Sequence, residues 1–478
     1  MTDHPQAAHA RTVLDHAVAS SVDVLEAAVV LESQGVNDRV ARDVFGVADV
    51  VTLAEREIRA AGPDRTATEP EAAPPAPAEL SAPPGTRWFH VRGILYAVPM
   101  LVALALVPAV DPIESALVLG GLVVSWAWSY GVASVAWAYL GDRDPAAARR
   151  FLRRSLLVGV VLAVLVATVA VYAALILTAT TEVTLATVLL LAGQSAYLMA
   201  AAVLLMTGHE LLLLVALLPA LAALALDQAG RQVAALTGIG PLHWIGGSVA
   251  LAGVFALVAT RGAARPVQRL GAPTWMRGLQ QFGFGLLVAL LVLFPAVNEL
   301  VVENYDALPL SVTLAALPLV LAMGVAEGLL HRYRARTQSL LDATSSATTF
   351  ARAALRTLRR YQLVFAGSLV ALSALVGGAV AALSGAVDTR YLLLALDYAV
   401  IGPALFAAML LSMLGRAGRV LEIFALAVVA LAAFELHAAV QAATDIEALI
   451  WFGVVGAATL LVLLVLVRRC VVVPVHHR

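Results

Sequence analysis

Asp397 stands in YLLLALDYAVIGPALF, six residues past Tyr391 in a run with no other charge. On a helix that is about 9 Å from Tyr391, too deep for a short side chain to reach water. A carboxylate so placed is costly in hydrocarbon and suits one of two tasks. It can hold a proton or cation on a transport route, or it can pair with Arg390 two turns back. Tyr398 adds a hydroxyl beside it. Pro403 frees a backbone carbonyl one turn earlier, as in a broken helix that lines a cavity. Asn298 and Glu299 close another apolar run just after Pro295. Glu435 and His437, in AAFELHAAV, are a pair able to relay protons. Being two residues apart, they do not share a helix face, and they equally suit contact with headgroup water.

Aromatic chemistry is concentrated in SWAWSYGVASVAW, where Trp126, Tyr130 and Trp137 lie roughly on one helical face. Such a face suits either a wall for stacking sugar rings or plain helix packing. Gln194, Ser195 and Tyr197 add polar groups to a later run. Glu327 and Glu422 lie beside Arg332 and Arg419 and read as interfacial ion pairs, and His209–Glu210 read as a helix cap. Metal-ligand spacing, a phosphate-cradling GxxxxGK[ST] loop and a nucleophile triad are all missing from the sequence. The expectation is a protein that is not an enzyme, uses no cofactor or metal, and binds no nucleic acid.

These residues need a scaffold, and composition names it. The chain of 478 residues is 61% hydrophobic and 13% charged, with a mean hydropathy of +0.89. Water-soluble domains carry about 25% charged residues, so this is an all-α polytopic membrane protein. Apolar runs at 92–110, 115–139, 155–178, 183–206, 209–226, 242–260, 279–300, 309–330, 361–384, 391–414, 419–440 and 448–467 each suffice to cross a bilayer. Arginine tests that count, since all 31 basic residues are Arg. With both termini cytoplasmic, 21 arginines fall in inward loops or the tail, against Arg231 and Arg390 outside. That asymmetry is the positive-inside pattern. The expected location is a bacterial cytoplasmic membrane, with the first span as signal anchor.

Ahead of the spans, residues 1–62 carry ten acidic residues and five Arg. Periodicity predicts one amphipathic helix from Ala7 to Gly35 and two shorter ones, with Asn37 as a cap and Gly46 as a stop. The region is too short for much of a core of its own, so it is expected to pair with a second copy, a partner or the membrane domain. Residues 63–87, with seven prolines, read as an extended linker.

The membrane domain divides into 88–260 and 261–478, each with six spans. In both, two spans joined by a short outer loop lead through an Arg-rich amphipathic segment into the third. The segments ARRFLRRSLLVGVVLAVL and RAALRTLRRYQLVFAGSLVAL mirror each other. Six is even, so the halves are parallel repeats about an axis normal to the membrane. Arg149, Arg150, Arg153 and Arg154, with Arg356, Arg359 and Arg360 in the second half, read as topology anchors or as contacts to anionic headgroups. From Pro145 the first segment reads as a short helix lying along the headgroups.

Gly141, Asp142, Asp144, Pro145, Ala148, Arg149, Arg150, Leu152, Arg153 and Arg154 form the pattern G-D-x-D-P-x-x-A-R-R-x-L-R-R after the second span. With the 6+6 layout, this resembles the multidrug/oligosaccharidyl-lipid/polysaccharide (MOP) flippase superfamily, which includes the MATE exporters, the O-antigen and lipid II flippases and the Pel-type polysaccharide exporters. Twelve spans after an amino-terminal extension are most similar in layout to the Pel-type branch. The resemblance implies a secondary transporter that moves a polysaccharide or lipid-linked glycan by alternating access. Many lipid-linked sugar flippases meet pyrophosphate with basic residues in the cavity, and here no Arg lies at mid-membrane. Two other readings stand beside it. One is a non-transporting scaffold of an envelope-synthesis complex, docked to a glycosyltransferase or similar partner through residues 1–62. The other is a membrane-embedded glycosyltransferase using Asp111 and Glu114, for which the outer loops leave little room.

Overall fold

The computed structural model describes residues 5–21, 24–36, 38–60, 89, 91–98, 112–141, 144–178, 185–228, 241–262, 272–301, 310–343, 347–385, 387–441 and 445–472. The linker 63–87 and the cap expected at Asn37 lie outside them. The chain forms two compact units, Met1–Ala78 and Glu79–Arg478.

The amino-terminal unit holds four helices: α1 (Pro5–Ser20), α2 (Val24–Ser33), α3 (Asp38–Phe45) and α4 (Val50–Ala60). The single helix expected over 7–35 is broken after Ser20. The Ser21 backbone amide and hydroxyl both donate to the Ala17 carbonyl, at 3.1 and 2.6 Å, a local bond with which serine competes against helix continuation. Gly35 ends α2 at φ 89°, where the Val36 amide donates to the Leu31 carbonyl. A second expectation is also corrected, because the unit builds its own core. Ala17, Ala27, Leu31, Ala41, Val50, Leu53 and Ala54 are all fully buried in it. The helices turn back tightly enough that Ala, Val and Leu side chains together fill the centre.

Asp49 caps α4 by accepting the Thr52 amide at 2.7 Å. That bond, with the Thr52 hydroxyl, holds the Asp49 carboxyl below its usual range. A depressed carboxyl contributes stability above its unfolded pKa of about 3.9 and loses it as pH falls through the folded value. Asp49→Ala is therefore expected to speed hydrogen exchange at Val51 and Thr52 at pH 7. As pH falls through the lowered pKa of Asp49, the variant and the parent should converge.

In the membrane unit, α5 is the helical segment 91–98. It is followed by α6 (Pro112–Gly141), α7 (Pro145–Thr178), α8 (Leu185–Met206), α9 (Glu210–Gln228) and α10 (Pro241–Ala259). Then come α11 (Ala272–Val301), α12 (Leu310–Ala343), α13 (Ala347–Ser384), α14 (Thr389–Met413), α15 (Ala417–Gln441) and α16 (Asp445–Val471). Nine of these described helices are long and apolar enough to cross a membrane, and α9 and α10 are shorter apolar helices. Residues 145–154 do not form a separate surface helix. They are the first turns of α7, with Pro145 at the start and the Ala147 amide donating to Asp144 Oδ1 at 2.8 Å. The other arginine-rich segment likewise extends α12 and α13.

The two halves pack alike. In the first, α6 meets α7 and α8, α7 meets α8, and α10 meets α8 and α9; α12, α13, α14, α15 and α16 repeat this pattern. Turn chemistry repeats too. Gly208 (φ 74°) ends α8, where the His209 amide donates to the Leu204 carbonyl at 2.8 Å. Gly415 (φ 76°) ends α14, where the Arg416 amide donates to Leu411 at 2.9 Å. Only a residue free to adopt positive φ closes a helix in this way. The fourth and fifth spans are thus separate helices, as expected. The chain is an all-α polytopic membrane protein built of two parallel six-helix halves.

Candidate functional site

The halves meet on the arginine-rich side through two glycine-lined crossings. At α5·α12, a Cβ on Gly324 would run into the backbone of Phe89 and Gly93, and one on Gly93 into the Leu321 carbonyl. At α6·α11, Gly131 faces the Gly278 carbonyl and Gly285 faces Ala127 and Tyr130. Without a hydrophobic force between helices in lipid, such close backbone approach is what drives packing. The two crossings are equivalent under the repeat, since the first helix of each half crosses the second of the other.

A charge network joins the halves beside the first crossing. Arg92 on α5 donates to Glu210 Oε1 on α9 through Nε (3.0 Å) and Nη2 (2.6 Å), and to Glu327 Oε2 on α12 through Nη1 (3.3 Å). Nη2 also reaches the Leu205 carbonyl, and the Tyr96 hydroxyl donates to Glu327 Oε1 at 2.6 Å. The side chains of Arg92, Glu210 and Glu327 are 16%, 6% and 24% exposed. This corrects two expectations. Glu327 pairs with Arg92, not with its neighbour Arg332, which points outward. Glu210 begins α9, but its carboxylate serves Arg92. Spacing along one helix favoured Arg332, whereas Arg92 is 235 residues away and only the fold brings it near. The Glu422–Arg419 pair forms as expected, at 3.0 Å and well exposed.

Between α6 and α11–α14 lies a small cavity of about 30 Å³, room for a water or two. Trp126 and Tyr130 form one wall; Phe284, Leu319, Met323, Ala326, Phe365, Phe406 and Met409 complete most of it. Among its thirteen lining residues, only Trp126 and Tyr130 carry a side-chain N or O atom. Trp137 does not join that wall; it is 58% exposed. Ser195 spans to Ser125 of α6 at 2.7 Å, and the Tyr197 hydroxyl donates to the Leu95 carbonyl, so both tie helices together.

Asp397 is buried, but not in this cavity. Its carboxylate presses against Gly453 at the α14·α16 crossing, inside the second half. The reason is rotational: Gly402 faces Leu319, Leu369 and Phe365, which leaves Asp397 facing α16. The Arg390 pair does not form either. The Arg390 amide instead donates to Asp388 Oδ1, which caps α14, while Asp397 Oδ2 is buried without a hydrogen-bond partner. Tyr398 packs edge-on against Phe452, and its hydroxyl donates to the Val292 carbonyl of α11 at 2.8 Å. That carbonyl lies next to Leu291, the one whose helical bond Pro295 removes. Asn298 Oδ1 and Glu435 Oε1 are likewise buried without partners, so the second half holds unpaired polar oxygens on α11, α14 and α15. His437 is exposed and apart from Glu435. The side chains of Glu299, Asp111 and Glu114 lie outside the described residues.

Of the arginines singled out by the sequence, Arg153, Arg154, Arg356, Arg359 and Arg360 are exposed, and Arg149 and Arg150 are half-buried. Among the described residues no group of three His, Cys, Asp or Glu has the geometry to hold a metal ion.

No protein-family model and no curated protein matches the sequence. Solved structures do match. An outward-facing multidrug resistance MATE family transporter of the MOP superfamily is 14% identical, covering 81% of this chain and 96% of its own, with a TM-score of 0.53. A MOP superfamily transporter from Pyrococcus furiosus is 13% identical over 81% and 94%, with a TM-score of 0.51. A Vibrio cholerae MATE transporter in the bent form is 16% identical over 81% and 95%, also at 0.51. At such identities the likeness lies in the backbone, and it spans nearly the whole of each neighbour. The membrane unit has the fold of the MATE and other MOP-superfamily transporters.

Proposed function

We propose that the protein is a secondary transporter that moves an amphipathic solute, with a lipid-linked glycan as its leading substrate class, by alternating access between the two halves. The observation that carries this reading is the cavity: it lies where the halves meet and its lining is apolar apart from Trp126 and Tyr130. A free polysaccharide would need many hydrogen-bonding partners there. A solute with an apolar portion and a ring face able to stack on Trp126 needs few. The arginine-rich side is assigned to the cytoplasm by the positive-inside rule, so the conformation is closed toward the cytoplasm. Asp397, Asn298 and Glu435 supply the second half with oxygen ligands for a coupling proton or cation.

Filling the cavity tests the proposal. Met323→Trp is expected to abolish export of amphipathic fluorescent probes and glycolipids from proteoliposomes, with the folded yield unchanged. A scaffold would be indifferent to that substitution. The scaffold reading draws on one specific feature, the acidic amino-terminal unit with its own core. It predicts that deleting residues 1–62 disrupts an envelope-synthesis complex while the Met323→Trp protein supports it fully.

A further inference from the structure

Phe284, Val288 and Val292 follow one another at steps of four on α11, and all three line the cavity. The end of that row is tied to another helix. The Val292 carbonyl accepts from the Tyr398 hydroxyl of α14, 106 residues away, at 2.8 Å. Pro295 interrupts the α11 hydrogen-bond ladder one turn further on. Tyr398 is fully buried and follows Asp397 directly, so both move with one turn of α14. A second path runs beside this bond through rings. Tyr398 packs edge-on against Phe452, which stacks on Phe294 of α11 at 5.8 Å. Asp397 itself presses on Gly453, the next residue of α16. Its Oδ2 is buried without a hydrogen-bond partner, an arrangement that a full charge destabilises and a bound proton or cation relieves.

We propose that Tyr398 is a positioning residue that transmits the loading of Asp397 to the cavity, through its hydrogen bond to the Val292 carbonyl and the interruption of α11 at Pro295. This role rests on Asp397 being the ion site of the proposed transporter. Loaded, Asp397 holds α14 as observed, and the hydroxyl bond fixes the lining row of α11. Unloaded, the charged carboxylate draws α14 away from Gly453, the bond is lost, and α11 bends at Pro295. The bond is thus made in one arrangement and broken in the other, which is what energetic coupling between two sites requires.

A double-mutant cycle read by a cavity reporter tests this. The reporter is N-ethylmaleimide labelling of Val288→Cys in a Cys470→Ala background, with full-length protein at about pH 8 in choline chloride. Asp397→Asn is neutral and stands for the loaded state. It is expected to lower labelling about fivefold, the effect of one buried hydrogen bond. In Tyr398→Phe, which keeps the ring and removes the hydroxyl, Asp397→Asn should leave labelling unchanged. An equal drop with and without the hydroxyl would route the coupling through the Phe452 and Phe294 rings and overturn the role of Tyr398. No drop in either background would overturn it too. Tyr391→Phe is the control, because it removes a bond of the same kind from the same helix, to the Ser373 carbonyl at 2.9 Å. The drop must persist there; its loss would mean general loosening of α14 and overturn the specific link. If Tyr398→Phe does not fold, Pro295→Ala answers in its place: with the α11 ladder restored, a drop that persists overturns the route. Ion-driven export by Asp397→Asn at the parent's rate would remove the ion site itself. Lost export with unchanged labelling would remove only the link through Tyr398.

Discussion

Asp397→Asn is expected to cut ion-driven transport about ten- to a hundredfold while the protein still inserts and folds. The magnitude follows from losing one charge-assisted contact to a bound ion, worth roughly 1.5–3 kcal/mol. Asp397 is buried against Gly453, with Oδ2 unpartnered, so Asn fills the same space and removes only the charge. Gly453→Ala gives a second route to the same result, since its Cβ would overlap the Asp397 carboxylate. It should impair coupling with the charge intact. Arg390→Gln should have little effect, because Arg390 is not paired with Asp397. The measurement is probe export from proteoliposomes under imposed proton or sodium gradients. A folded, fully active Asp397→Asn protein would remove Asp397 from the mechanism.

Glu327→Gln is expected to open the arginine-rich side. Arg92 on the first half and Glu327 on the second are joined across the interface, and Tyr96 adds a second donor from the first half. Breaking a deeply buried pair costs about 3–5 kcal/mol. With side chains 16% and 24% exposed, roughly 2 kcal/mol is a fair discount for screening. That corresponds to about a thirtyfold shift toward the open state. Maleimide labelling of Met323→Cys from the arginine-rich side, in a Cys470→Ala background, should rise accordingly. Glu210→Gln is the contrasting variant. Its bond to Arg92 lies within the first half, so it should lower the melting temperature without raising Met323→Cys labelling. Equal labelling in both variants would reduce the network to a structural role.

Sequence alone determined the class and the two-half helical layout, because each rests on local quantities. Hydrocarbon thickness fixes the length of an apolar run, and arginine asymmetry fixes which loops share a side. The parity of six spans then makes the halves parallel. Trp126 and Tyr130 were legible as one face because the helical period decides it. The break at Ser20 was not, since alanine-rich periodicity continues through it and only the Ser21 bonds to Ala17 stop the helix. Tertiary structure decided which partner each charged group takes. Glu327 has Arg332 one turn away in sequence yet binds Arg92, because the glycines at Gly93 and Gly324 bring α5 and α12 into backbone contact. Asp397 had Arg390 two turns away yet faces α16, because Gly402 packs the opposite side of α14 against Leu319, Leu369 and Phe365. Arg149 and Arg150 were readable as basic, but not as half-buried. In each case the outcome depends on helix rotation and on contacts between different helices, information that a single helix's sequence does not contain.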